Sequence, residues 1–194
     1  MELSRSIVVD YLERYFERED IAIAYIYCNY KEQGNQTSDN LIASLLQQLV
    51  RSEPTIPDNI ASLYYDQTKK QRRPTLSEWS KLLQSEVHRF SKVFIIIDAL
   101  DECTESSGSR ASFLTEIRKL QPSIHLLVTS RHILTVEHEF KEAAYLEIRA
   151  SDEDVRRYVK DRIEQDRRLQ TNISADPSLR ETVIDSIVKK ANGM

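Results

Sequence analysis

Glycine is scarce in this chain: three residues in 194, at Gly34, Gly108 and Gly193, where average usage of about 7% would supply roughly a dozen. None is followed by lysine, so the phosphate-cradling loop GxxxxGK[ST] is absent from the sequence. There are only two cysteines, Cys28 and Cys103, too few for a disulfide framework, and a reducing compartment follows as the default. No apolar run is long enough to cross a bilayer, and no start-proximal apolar stretch with a cleavage site is present. The four histidines, His88, His125, His132 and His138, are scattered, and none stands at metal-ligand spacing from a cysteine or acid. A net charge of -4 and a pI near 5.7 give no general nucleic-acid surface. The basic run Lys69-Lys70-Gln71-Arg72-Arg73 sits beside a proline and reads as a solvated loop.

What is present is an ordinary globular composition. With 40% hydrophobic and 30% charged residues, the chain can bury a core of useful size. Ile7, Val8, Tyr11, Leu12, Tyr15 and Phe16 fall at helical spacing between Ser6 and Arg18. The run IAIAYIYC, Ile21 to Cys28, suits a strand buried on both faces. Helices follow over Leu41 to Val50, over Asp58 to Lys70, and over a stripe from Leu76 through Trp79 to Phe90. Trp79 at that spacing reads as core. KVFIIID, Lys92 to Asp98, is an apolar strand ending in acid, and Phe113 to Leu120 mark a helix that Pro122 stops. IHLLVTS, Ile124 to Ser130, is a further strand, then a short helix over Ile133 to Phe140 and a brief strand over Tyr145 to Arg149. Ser151-Asp152-Glu153-Asp154 resembles a capping box and opens a charged helix with Val155, Tyr158, Val159 and Ile163 inward. A last helix runs from Pro177 to a stop at Gly193.

Strands alternating with helices over the first 150 residues predict an α/β layer with parallel strands, followed by a small helical segment. In such a sheet ligands bind at the carboxyl ends of strands. Asp98 stands at one such end, with Asp101 and Glu102 in the turn behind it. A carboxylate there can reach a magnesium ion, and a second acid three or four residues on can orient a water. Acid after an apolar strand also ends many strands with no further role. Val128-Thr129-Ser130-Arg131 adds a second strand end with an arginine able to meet phosphate charge. Ser130 and His132 have the residue types of a nucleophile pair, but no glycine elbow surrounds them. Cys28 and Cys103 both follow strand segments, so their sulfurs come near each other if those strands are neighbours, as a thiol pair rather than a disulfide.

IIIDALDE, the TSR strand about thirty residues later, SIVVDYL, AIAYIYCNY with QTSDNLIASLLQQL, and the closing ANGM together resemble the NACHT-type signal-transducing NTPases. The likeness is to the nephrocystin-like N-terminal domain of fungal ankyrin- or WD-repeat proteins, and it spans nearly the whole chain. It implies a P-loop NTPase-like three-layer fold with a parallel sheet, its first strand and P-loop missing here, and a small C-terminal helical segment. Residues 1–150 would form the nucleotide-binding core and 151–194 the start of a helical domain. The resemblance assigns magnesium to Asp98, the hydrolytic water to Asp101 and Glu102, and the sensor arginine to Arg131. Met1 to Arg5 occupy the place of the family's GxxGxGK[ST] loop, leaving Ser4, Arg5 and Ser6 as a residual anion site. Mg2+ with ATP or GTP is the implied cofactor, the implied partners are proteins or further copies through other domains, and the implied location is cytoplasmic, with no membrane or nucleic-acid partner. An AAA-type nucleic-acid-associated ATPase shares the strand motifs but should carry a basic face.

Overall fold

The computed structural model describes residues 7–16, 20–52, 55–103, 105 and 108–191, and it divides the chain into two compact units, residues 1–141 and 142–194. The first unit is an α/β layer. Its three strands, β1 (Ile21–Tyr27), β2 (Lys92–Asp98) and β3 (His125–Val128), form a parallel sheet in the order β1-β2-β3. The register pairs Tyr27 with Asp98 and Ile97 with Val128. All three carboxyl ends therefore open on the same side of the sheet. Parallel strands require long crossovers, and the helices supply them: α2 (Ser38–Arg51), α3 (Asp58–Lys70) and α4 (Leu76–Val87) between β1 and β2, then α5 (Ser109–Arg118) between β2 and β3.

The strands explain their own placement. Ala22, Ala24 and Ile26 of β1 and Val93, Ile95 and Ile97 of β2 alternate onto one face and join Leu41, Ile42, Leu45 and Leu49 of α2, Leu83 of α4, and Phe113 and Ile117 of α5 in one buried cluster. The other face is covered differently. Helix α1 (Ile7–Tyr15) lies against β1, Val9 is fully buried, and Phe16 stacks on Phe94, which in turn stacks on His125. Helices on both sides of a parallel sheet give the three-layer arrangement expected from the sequence. One detail differs: β1 is buried on one face and only half-covered on the other, where Tyr25 and Tyr27 pack ring to ring. Small alanines on the helix-facing side let α2 approach closely. Trp79 is half-buried against the main cluster.

Local capping fixes the helix starts. Thr37 accepts the Asn40 N–H at the head of α2, and Thr75 and Glu78 form a reciprocal capping box at the head of α4. Arg72 forks onto the same Glu78 carboxylate, at 2.6 and 3.1 Å, and with the Thr75 bonds holds its pKa down at about 2. In the basic run this arginine is thus tied to an acid. Helix α6 (Leu134–Glu139) follows β3 and is held to α5 by the Arg118–Glu139 ion pair.

Among the described residues β1 is an edge strand, and the outward backbone groups of Tyr25 are not left open. Gln48 of α2 accepts the Tyr25 N–H at 3.0 Å and donates to the Tyr25 carbonyl at 2.9 Å. One amide side chain thereby imitates a neighbouring strand.

The second unit is a helical hairpin with a third helix: α7 (Asp152–Gln165), α8 (Arg167–Ala175) and α9 (Ser178–Ala191). Val159, Ile163, Ile184 and Val188 form its small core. The Ser151–Asp154 capping box is present, whereas Tyr158, expected inward, is exposed. Helix α8, not anticipated, starts where Asp166 accepts the N–H groups of Arg168 and Leu169. Tyr145 to Arg149, expected as a strand, forms none. Tyr145, Leu146 and Ile148 are exposed; a strand exists only by exchanging backbone bonds with a neighbour, and apolar alternation alone does not provide one. The Gly193 stop lies outside the described residues. Among the described residues no helix is long and apolar enough to cross a membrane.

Gln48→Leu keeps the volume but removes both bonds to Tyr25. An increase in the urea sensitivity of the first unit worth about 1–3 kcal/mol is expected, as for an unsatisfied backbone pair, and equilibrium urea unfolding followed by far-UV circular dichroism measures it.

Candidate functional site at the strand ends

The acidic turn begins where β2 leaves the core. Ile97 is fully buried and Asp98 is half-exposed, so the carboxylate emerges at the first position where the sheet releases its side chains. Ala99 then takes a left-handed conformation, φ 53° and ψ 48°, which a residue with a Cβ adopts at some cost. The reversal drops the chain into a 3-10 turn, Leu100–Glu102, and drives Leu100 back into the core at zero exposure.

Thr129, the first residue beyond β3, holds that reversal. Its hydroxyl accepts the Ala99 N–H at 2.9 Å and donates to Asp98 Oδ1 at 2.5 Å. Its backbone N–H donates to the Ile97 carbonyl and its carbonyl accepts the Leu100 N–H, both at 2.9 Å. Four bonds from one residue thus lock the strand end, the strained residue and the turn. Two residues on, the Arg131 backbone N–H donates to Asp101 Oδ1 at 3.0 Å and Arg131 Nε to Asp101 Oδ2 at 2.5 Å. Burial by itself pushes the Asp101 carboxyl upward, but the two bonds and the charge of Arg131 outweigh it and hold the group below the usual carboxylate range. The pairing equally raises Arg131. Glu102 faces the β1 side: its Oε2 accepts the Tyr30 N–H at 3.2 Å, and its carbonyl accepts Gln33 Nε2 at 3.2 Å.

The end of β1 completes the row. The Cys28 N–H donates to the Asp98 carbonyl at 2.9 Å. Cys28 and Cys103, both buried and free, flank the acidic turn, and their thiols lie close enough to shift each other's ionisation. The neighbouring Cys103 thiol, burial and the nearby acids Asp101 and Asp98 push the Cys28 thiol up. Cys103 is held down by the neighbouring Cys28 thiol and by the Arg110 guanidinium, against burial.

Asp98, Asp101, Glu102 and Arg131 are therefore brought together at one edge of the sheet. Ser4, Arg5 and Ser6, expected as a residual anion site, lie outside the described residues. Ser130 and His132 are not a pair: the Ser130 hydroxyl bonds the Arg131 carbonyl and His132 meets Glu137. Thr129 was visible only as part of the TSR string. Its clamp depends on β2 and β3 being neighbours with Ile97 opposite Val128, which spacing does not reveal.

Magnesium prefers ionised oxygen donors and few protein ligands. Both oxygens of Asp101 accept from Arg131 and one of Glu102 accepts from Tyr30, whereas among the described residues only Thr129 bonds the Asp98 carboxylate, through one oxygen. Asp98 and Glu102 each keep one carboxylate oxygen that no described residue bonds, and Asp101 keeps none; Asp98, at the strand end itself, fits the ion.

A parallel three-stranded α/β unit with an acidic turn and an arginine at its strand ends defines the class. The chain belongs to the family described as nephrocystin 3, N-terminal, whose model matches residues 3–131. The match covers all three strands and every residue of the strand-end row from Cys28 to Arg131. A comparison with curated proteins finds no match.

The Asp101 carboxyl has a depressed pKa in the folded chain, so it contributes stability above its unfolded value, near 3.9, and loses that contribution as pH falls through the folded value. Asp101→Asn should lower the urea midpoint at pH 7, and its difference from the unsubstituted chain should shrink steadily below about pH 4. Urea midpoints of both chains from pH 7 to pH 2.5 measure this; a difference that stays constant across that range would count against the ion pair.

Proposed function

We propose that this chain is the nucleotide-facing part of a NACHT-type signal-transducing NTPase, a class in which nucleotide state governs association in signalling or self/non-self recognition. The observation that carries the reading is the row at the strand ends: Asp98 with one carboxylate oxygen that no described residue bonds, the acidic turn behind it, and Arg131 on the next strand, all opening on one side. In this reading Asp98 holds Mg2+, whose charge offsets that of the nucleotide phosphates of ATP or GTP. Glu102 and Asp101 border the position of an attacking water. Asp101 also fixes the Arg131 side chain through Nε, while that side chain as a whole stays 78% exposed, where it can meet phosphate charge.

The sequence has no glycine–lysine loop, and in P-loop enzymes that loop supplies most of the phosphate grip and a hydroxyl ligand to magnesium. Hydrolysis by this chain alone is therefore expected to be weak or absent. Ser4, Arg5 and Ser6 would offer only a small share of that grip. Signalling output would run through protein partners or other copies, reached by further domains, in the cytoplasm.

Titration calorimetry with ATP and with GTP, each with and without Mg2+, tests the assignment. Magnesium-dependent binding at one site per chain, weakened at least tenfold by Asp98→Asn, is expected. A folded chain that binds neither nucleotide at millimolar concentration would overturn it and favour a nucleotide-independent role in protein packing.

A further inference from the structure

Cys28 and Cys103 have no part in the nucleotide reading, yet they are placed as a pair. They are 75 positions apart in sequence and lie at 6% and 2% exposure in the same core. Each is pinned by its own backbone to the acidic turn: the Cys28 N–H bonds the Asp98 carbonyl at 2.9 Å, and the Cys103 N–H bonds the Leu100 carbonyl at 3.1 Å. Their thiols lie close enough to shift each other's ionisation. Arg110, itself 7% exposed, lies close enough for its charge to act on Cys103 and is anchored by Glu105 and Thr135.

We propose that Cys28 and Cys103 form a reversible redox pair, in which hydrogen peroxide converts the two thiols to a disulfide that clamps the acidic turn to the end of β1. Cys103 is the nucleophile, because a fixed guanidinium favours its thiolate. Its sulfur attacks one peroxide oxygen, the O–O bond breaks, and the departing hydroxide takes a proton to leave as water. The product is a sulfenic acid at Cys103. The Cys28 sulfur then attacks the Cys103 sulfur, the S–S bond forms, and the hydroxyl leaves as a second water with the Cys28 proton. Two thiols and one peroxide become one disulfide and two waters. A reduced thiol such as glutathione reverses the bond by exchange. Burial selects the oxidant: a peroxide little larger than water reaches the pair during local opening, while bulky disulfides are held off. The pairing holds whether or not the strand ends take a nucleotide.

The test is a peptide map of the whole reduced chain after exposure to hydrogen peroxide, quenched with an alkylating agent and digested by trypsin without reductant. Peptide 19–31 joined to peptide 93–110 in a monomeric chain lighter by two hydrogens, and released by dithiothreitol, is the expected result. Cys28→Ala should leave a sulfenic acid at Cys103 that dimedone traps, and Cys103→Ala should leave Cys28 unmodified over the same exposure. Sulfinic or sulfonic acid at Cys103 with Cys28 still alkylated in the unsubstituted chain would overturn the pair. So would disulfide-linked dimers in place of the internal bond. Cys28 oxidised as fast in Cys103→Ala as in the unsubstituted chain would overturn the assignment of Cys103 as nucleophile.

Discussion

The organising constraint is the junction between β2 and β3 at Thr129. A parallel sheet delivers its strand ends to one side, but that alone leaves an acid at the end of β2 without a fixed direction. Thr129 supplies the direction with one hydroxyl and two backbone groups. The left-handed Ala99, the buried Leu100 and the orientation of Asp98 all follow from those four bonds. Asp101 and Glu102 are then presented to opposite neighbours, one toward Arg131 and the other toward Tyr30. A residue with no ionisable group thus sets the positions of three that have one.

Much of the first unit was legible because its strands are written in uninterrupted apolar residues. KVFIIID and IAIAYIY could be placed as neighbours once an α/β alternation was recognised, and their burial follows from alternation against α2. The acids were legible for the same reason: an acid directly after five apolar residues has to mark the point where a strand leaves the core. What the sequence did not disclose were relations between elements. The clamp of Thr129 and the amide of Gln48 standing in for a strand both depend on register. The expectation at Tyr145 to Arg149 failed for the complementary reason, since alternation describes a residue's faces and says nothing of a partner for its backbone. Helix α8 was missed because its signal is a single Asp166 cap on a weakly apolar segment.

The arrangement also separates position from activity. In the proposed reading a nucleotide lies at the strand-end row, while the sequence lacks the glycine–lysine loop that is the usual source of phosphate affinity. Arg131 and Asp101 meanwhile satisfy each other in the structure. The acidic turn therefore owes its shape to the protein's own bonds, with Thr129 on one side and β1 on the other.

Amide hydrogen exchange at Ala99 tests that claim most directly, because its N–H has the Thr129 hydroxyl as acceptor. In Thr129→Val, exchange at Ala99 should accelerate at least tenfold relative to the unsubstituted chain, Thr129→Ser should restore most of the protection, and Ile95 in the middle of β2 should be unaffected. Unchanged protection at Ala99 in Thr129→Val would contradict the account and place the origin of the turn elsewhere.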